Sequence, residues 1–247
     1  MKVIFLGTNG WYDTATGNTT CILIAADEYY IILDAGGALY KIDQYIIDAK
    51  PIYLFLSHFH LDHIIGLHVL NKFSFKQGVR ICGQKGTQDI LNKIINIPYT
   101  MPFKDLSYHT EVLELSGVRS EVPFPVEVKP LLHSTTTLGF RFELENKIIT
   151  YCPDTGNCEN AVTLARGADL LIAECAYKSG QYYDKWPHLN PGEAAKIAKE
   201  AKVKKLVLTH FDASLYKTLG ERKEAEEQAK KIFSDTIAAT DDMQVEV

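Results

Sequence analysis

Ile52-Tyr53-Leu54-Phe55-Leu56-Ser57-His58-Phe59-His60-Leu61-Asp62-His63 runs from an apolar, strand-like segment straight into four side chains able to bind a metal within six residues. The whole chain holds eight histidines, so three of them in one turn ask for a chemical reason. Imidazole nitrogens and a carboxylate are what Zn²⁺ accepts, at about 2.0 to 2.2 Å. Titratable groups wedged between the apolar flanks Ile52 to Leu56 and Ile64 to Leu70 are costly unless paired, so an ordinary polar turn is the poorer reading.

Outward from this turn, short β-branched-rich runs read as strands: Val3 to Leu6, Cys21 to Ala25, Tyr30 to Leu33, Ile52 to Leu56, Val126 to Leu132, Gly139 to Leu144, Ile148 to Cys152, Leu170 to Ala173 and Lys205 to Leu208. Helical segments are expected over Ile64 to Asn71, Thr87 to Ile95, Glu159 to Arg166, Pro191 to Ala201 and Arg222 to Phe233. The clearest is Pro191 to Ala201, with Asn190 as cap, Pro191 at the first position, Glu193 three residues after the cap, and Ala194, Ile197, Ala198 and Ala201 on one stripe. An internal echo links Leu54-Phe55-Leu56-Ser57-His58-Phe59 to Leu206-Val207-Leu208-Thr209-His210-Phe211, as though two related strands each deliver a histidine at their C-terminal end.

Composition sets the outer limits. The chain has 247 residues, 46% hydrophobic and 23% charged, which excludes disorder, collagen and coiled coil. A chain of this size hides roughly 70 to 75% of its unfolded surface, so any metal would be present for chemistry rather than for stability. A net charge of -5 argues against a strongly basic nucleic-acid surface. Five scattered cysteines without a CxxC pair fit reduced thiols, and no apolar run approaches about 18 residues, so a soluble cytoplasmic protein is expected.

Taken together, His58-x-His60-x-Asp62-His63 after a strand, Asp34-Ala35-Gly36-Gly37 upstream, His133 in Leu132-His133-Ser134, Asp154 in Cys152-Pro153-Asp154-Thr155-Gly156, and His210 in Leu208-Thr209-His210-Phe211 resemble the metallo-β-lactamase superfamily. The ordered match runs from Val3 to His210. The resemblance implies an α/β (α+β) fold, a four-layer αβ/βα sandwich formed by residues 1–247 as one domain. It also implies two divalent metal ions, with Zn²⁺ as the default for a His-rich site and Mn²⁺ or Fe²⁺ as alternatives. His58, His60 and His133 would bind one ion, Asp62, His63 and His210 the other, and Asp154 would bridge them. Asp34 would brace a ligand histidine rather than bind metal. His68 and His109 are expected to be bystanders.

Within the superfamily, Glu174 and His188 resemble the Glu and His pair of ribonuclease Z-like phosphodiesterases, in which the histidine faces the scissile phosphate. The resemblance implies a phosphodiesterase in which His188 and Glu174 assist the leaving oxygen and Asp62 doubles as proton acceptor. Ribonuclease Z carries a long Gly- and Pro-rich arm between the positions of His133 and Asp154, whereas here Ser134 to Pro153 reads as a hairpin. The expected substrate is therefore a phosphodiester, either a small molecule or RNA. Cleavage of tRNA without the arm would call for a second subunit, hence a homodimer. No membrane partner is expected. The rival readings are a thioester hydrolase of the glyoxalase II kind, which usually ends in an extra helical domain, and a noncatalytic metal-binding protein of the same fold.

Other features are less specific. Lys72, Lys76, Arg80 and Lys85 form an acid-free basic stretch best read as solvated surface. Trp11-Tyr12 and the aromatics Tyr99, Phe103 and Tyr108 could roof a pocket, with packing on the core slightly favoured. Cys152 and Cys175 are expected to be buried apolar residues.

Overall fold

Successive side chains of Val3-Ile4-Phe5-Leu6 go to opposite faces of their strand, and both faces are dry: Val3 and Phe5 enter one core, Ile4 and Leu6 another. The same two-sided burial recurs along Cys21–Ala25, Tyr30–Leu33 and Ile52–Phe55, which explains their nearly continuous apolar sequences. The computed structural model describes residues 1–115 and 122–247. Among them, a seven-stranded sheet runs in the order Met243–Glu246, Lys2–Gly7, Cys21–Ala25, Tyr30–Leu33, Ile52–Phe55, Val79–Gly83 and Thr110–Glu114. A six-stranded sheet runs in the order Thr236–Ala238, Lys205–Thr209, Leu170–Glu174, Lys147–Cys152, Thr137–Leu144 and Val126–Leu131.

The central core lies between the sheets. Phe55 of the first meets Phe140 and Phe142 of the second edge-on, with ring centroids 5.3 and 5.0 Å apart. The outer face of the first sheet packs on the 3₁₀ segments Gly37–Gln44 and Ile65–Lys72 and on the helix Thr87–Ile94. The outer face of the second packs on the helices Glu159–Ala165, Pro191–Ala201 and Leu219–Lys230. Helix, sheet, sheet, helix is the four-layer order that the family resemblance implies.

Local sequence accounts for most boundaries. Asn190 caps Pro191–Ala201, its side chain accepting from Gly192 N at 3.0 Å and Glu193 N at 3.2 Å. Glu145 and Asn146 take positive φ (53° and 58°) and turn the hairpin between Thr137–Leu144 and Lys147–Cys152. Three expectations need correction. The α-helix drawn over Ile64 to Asn71 is an α-turn, Leu61–Ile64, followed by 3₁₀ helix, because Gly66 lies hard against the Gly36 carbonyl, its N–H bonded to Ala35 O at 2.8 Å. The helix drawn over Arg222 to Phe233 begins earlier, at Leu219, where Thr218 and Glu221 form a reciprocal cap, and it ends at Lys230. The strands Val79–Gly83, Thr110–Glu114, Thr236–Ala238 and Met243–Glu246 add to those read from the sequence.

Strand direction positions the site. Tyr30–Leu33 and Ile52–Phe55 are parallel, so Asp34 and Ser57-His58 leave the first sheet at one edge. Lys147–Cys152, Leu170–Glu174 and Lys205–Thr209 are parallel as well, so Asp154, Glu174 and His210 leave the second sheet at one edge. No described helix is long and apolar enough to cross a membrane.

Candidate metal centre

The turn after Ile52–Phe55 folds as it does because its apolar and polar residues part company: Phe59 packs on the outer core while His58, His60, Asp62 and His63 turn toward the gap between the sheets. His133 arrives from the end of Val126–Leu131, Asp154 from Lys147–Cys152, and His210 from Lys205–Thr209. Asp154 stands at the centre of the seven. Its Oδ1 lies 3.0 Å from His63 Nε2 and 3.1 Å from His210 Nε2, while its Oδ2 lies 3.7 Å from His58 Nε2 and 3.6 Å from His133 Nε2. One carboxylate oxygen thus faces each of two ligand groups, His58/His60/His133/Asp154 and Asp62/His63/His210, and within each group the ligand atoms lie within 4.8 Å of one another. A third grouping, Asp154/His188/His210, meets the same distance limit.

Charge follows geometry. Burial pushes the imidazoles of His58, His60 and His133 below their ordinary range, leaving neutral nitrogens of the kind a metal accepts. Burial acts the same way on His63 and His210, but Asp154 and the other nearby carboxylates outweigh it and raise both. Burial would raise Asp62 and Asp154, yet the surrounding histidines hold both below the usual carboxylate range. The His58 Nε2 atom is fully buried and has no hydrogen-bond partner, and the His58 ring lies 4.1 Å from that of His63 and 4.5 Å from that of His60. Clustered imidazoles with an unspent lone pair around dry carboxylates fit divalent cations with nitrogen and oxygen preferences.

Asp34, buried and in a left-handed conformation (φ 56°), organises the floor. Its carboxylate accepts from Ser57 N at 2.8 Å, Ser57 Oγ at 2.9 Å and Tyr151 Oη at 2.7 Å, and lies 2.8 Å from His63 Nδ1. That contact turns His63 Nε2 toward Asp154, the outer support that metal-binding histidines need. Glu174 accepts from Thr155 N at 2.8 Å and Ala176 N at 2.9 Å and sits 2.6 Å from His188 Nδ1, while His188 Nε2 points to Asp154 Oδ2 at 4.0 Å. Burial works against charge on His188, but Glu174 overcomes it and the imidazole is pushed up to about 9.

The structure therefore brings His58, His60, Asp62, His63, His133, Asp154, Glu174, His188 and His210 to one place. His68 and His109 are exposed and outside it. Tyr108 is buried and donates to Leu70 O, Phe103 packs on the outer core, and neither these nor Tyr99 line the cavity above the cluster. Trp11 does line it. Lys72 pairs with Asp43 and Arg80 with Glu111, as befits a solvated surface. Cys152 and Cys175 are buried, and burial pushes both thiols up. Sequence reasoning missed Tyr177, Tyr183, Lys185 and Trp186, which line a cavity of about 860 Å³. The adjacency of Trp186 and Pro187 to His188 was the signal available.

A sequence profile described as the Beta-lactamase superfamily domain matches residues 46–211, and the chain belongs to that superfamily, with the metallo-β-lactamase fold. The chain is similar to the probable metallo-hydrolase YhfI of Bacillus subtilis, 28% identical over 218 residues and covering 85% of this chain and 87% of the relative. The YhfI crystal structure superposes with a TM-score of 0.83 at 25% identity, covering 100% of this chain and 98% of that one. Ribonuclease Z of Methanosarcina acetivorans is 26% identical over 314 residues, covering 100% of this chain and 98% of the relative, so the relative holds stretches with no counterpart here. The human short-form tRNase Z, at 23% identity and covering 100% of this chain and 99% of that one, shares the fold with a TM-score of 0.77.

Proposed function

We propose that this chain is a dinuclear metal-dependent phosphodiesterase. The observation that carries the reading is the Glu174–His188 pair: a buried carboxylate 2.6 Å from an imidazole whose other nitrogen faces the metal-ligand cluster. His58, His60 and His133 would hold one ion, Asp62, His63 and His210 the other, with Asp154 between them. The ions, Zn²⁺ by the chemistry of the donors with Mn²⁺ or Fe²⁺ as alternatives, would supply Lewis acidity and acidify a water at the site.

This chain's own groups supply the proton traffic. Glu174 fixes the proton on His188 Nδ1 and leaves Nε2–H aimed at the cluster, where it donates to the departing alkoxide or to a phosphoryl oxygen. In the metal-free protein Glu174 overcomes burial and pushes His188 up to about 9, which favours the protonated imidazole that a general acid requires. Asp62, its carboxyl held ionised by the neighbouring His63 and His210, would double as proton acceptor while serving as a ligand. The buried floor of Asp34, Ser57 and Tyr151 holds His63 in one orientation.

The test is the initial rate of bis(p-nitrophenyl) phosphate hydrolysis by metal-loaded protein, with chelated protein as control and a thioester assayed in parallel. Metal-dependent cleavage of the diester supports the reading; turnover of the thioester alone sinks it.

A further inference from the structure

The chain contains two tryptophans, and both line the cavity above the ligand cluster. Trp11 is 65% exposed and Trp186 49%, unusual for a side chain that normally hides most of its surface. Neither is loosely placed. The Trp186 indole lies parallel to the His60 ring, 10° between planes and 4.9 Å between centroids, and edge-on to His133 at 5.6 Å. Its segment is pinned on both sides: Tyr177 Oη donates to Trp186 O at 2.6 Å, and His133 Nδ1 lies 3.1 Å from Pro187 O. Trp11, in a left-handed conformation, donates its backbone N–H to Asp62 at 2.7 Å. The Trp186 indole is thus tied to one ligand group, and the backbone that carries Trp11 to the other.

Beyond the metal-ligand cluster itself, the lining has few basic side chains. Lys185 is the one Lys or Arg among the described lining residues, against Asp62, Asp154 and Asp212. A polynucleotide is gripped through many phosphates by clustered Lys and Arg, and this rim has no such cluster. A volume of about 860 Å³ instead falls in the range of small-molecule sites. A phosphate seated over Asp154 would place its substituents against pre-positioned aromatic faces, so stacking costs little ordering.

Resting on the phosphodiesterase reading, we infer that the substrate is a small diester with one phosphate and a flat aryl or nucleobase substituent, with Trp186 setting that specificity. Both tryptophans of the chain sit in the cavity, so binding has a readout independent of turnover. The experiment titrates metal-loaded protein with adenosine 5′-monophosphate, with ribose 5-phosphate, and with a single-stranded RNA oligonucleotide, following tryptophan emission. The expected result is about tenfold tighter binding of the nucleotide than of the sugar phosphate, a gap that Trp186→Leu closes while metal content stays at wild-type level. Equal binding of the two, or a gap unchanged in Trp186→Leu, overturns the inference. So does RNA binding that exceeds the nucleotide's and falls steeply with salt. Failure of bis(p-nitrophenyl) phosphate hydrolysis defeats the reaction assignment instead, so the two failures are separable.

Discussion

The backbone N–H of Trp11 and the carboxylate of Asp62 meet at 2.7 Å across 51 positions of sequence. The loop that makes this contact is organised by Asn9, whose side-chain amide reaches Tyr12 O, Thr14 Oγ1 and Gly17 O. Asn9 Oδ1 accepts from the buried guanidinium of Arg222, which also donates to Thr8 Oγ1 at 2.7 Å. A helix on the outside of the second sheet therefore steers a carboxylate at the turn after the first.

Asn9→Ala should release that loop. The expected outcome is a loss of roughly 10- to 100-fold in affinity for the ion at Asp62, His63 and His210, the range seen when an outer support is removed, with the His58 group little changed. Calorimetric titration resolving two metal equivalents checks it; equal weakening of both would assign Asn9 to general stability.

Gly10→Ala tests steric support of the same group. A Cβ at Gly10 would come within 2.5 Å of the His210 ring, so the histidine must yield. Metal content, measured by plasma mass spectrometry, is expected to fall toward one ion per chain, with a stability cost of about 1 to 3 kcal/mol. Retention of two ions would show that His210 can move without leaving the metal.

His188→Ala should lower kcat by roughly 10² or more, the scale of a lost general acid, with two ions still bound. Because Asp154, His188 and His210 also lie within ligand distance of one another, the metal assay has force. Loss of an ion with His188 would make it a ligand and end the acid assignment.

In the chelated protein, the difference in pH dependence between wild type and Glu174→Gln isolates the Glu174–His188 pair from His63 and His210, which are raised as well. His188 has its folded pKa pushed up to about 9, against about 6.5 in the unfolded chain. Its contribution to stability is therefore fully present below about pH 6.5 and lost as pH rises through about 9. Wild-type Tm should drop over that window, and Glu174→Gln, which removes the chief raising charge, should drop less. A variant melting curve that parallels wild type at every pH would contradict the assignment.

Much of this was legible because burial writes itself into sequence. The dry runs Leu54 to Leu56 and Leu206 to Leu208 are continuously apolar, and each is followed at once by a hydroxyl residue and a histidine. The cap at Asn190 needed only local chemistry. Thr110–Glu114 was hidden because it does not alternate, and Met243–Glu246 because its alternating run is only four residues long; the partners of both lie far off in sequence, Val79–Gly83 and Lys2–Gly7. Trp186 was hidden for another reason: its stack on His60 joins residues whose proximity arises only when the two sheets face each other.

The central place of Asp154 has a consequence in time. Its two oxygens face groups completed at different points along the chain, since the His58, His60 and His133 set lies wholly upstream of it and His210 well downstream. On a growing polypeptide the first set is complete as soon as Asp154 emerges from the ribosome, while the second waits for Lys205–Thr209 to dock beside Leu170–Glu174. Vectorial synthesis thus finishes the two halves of the centre in a fixed order, and a nascent chain halted between them would present one half without the other.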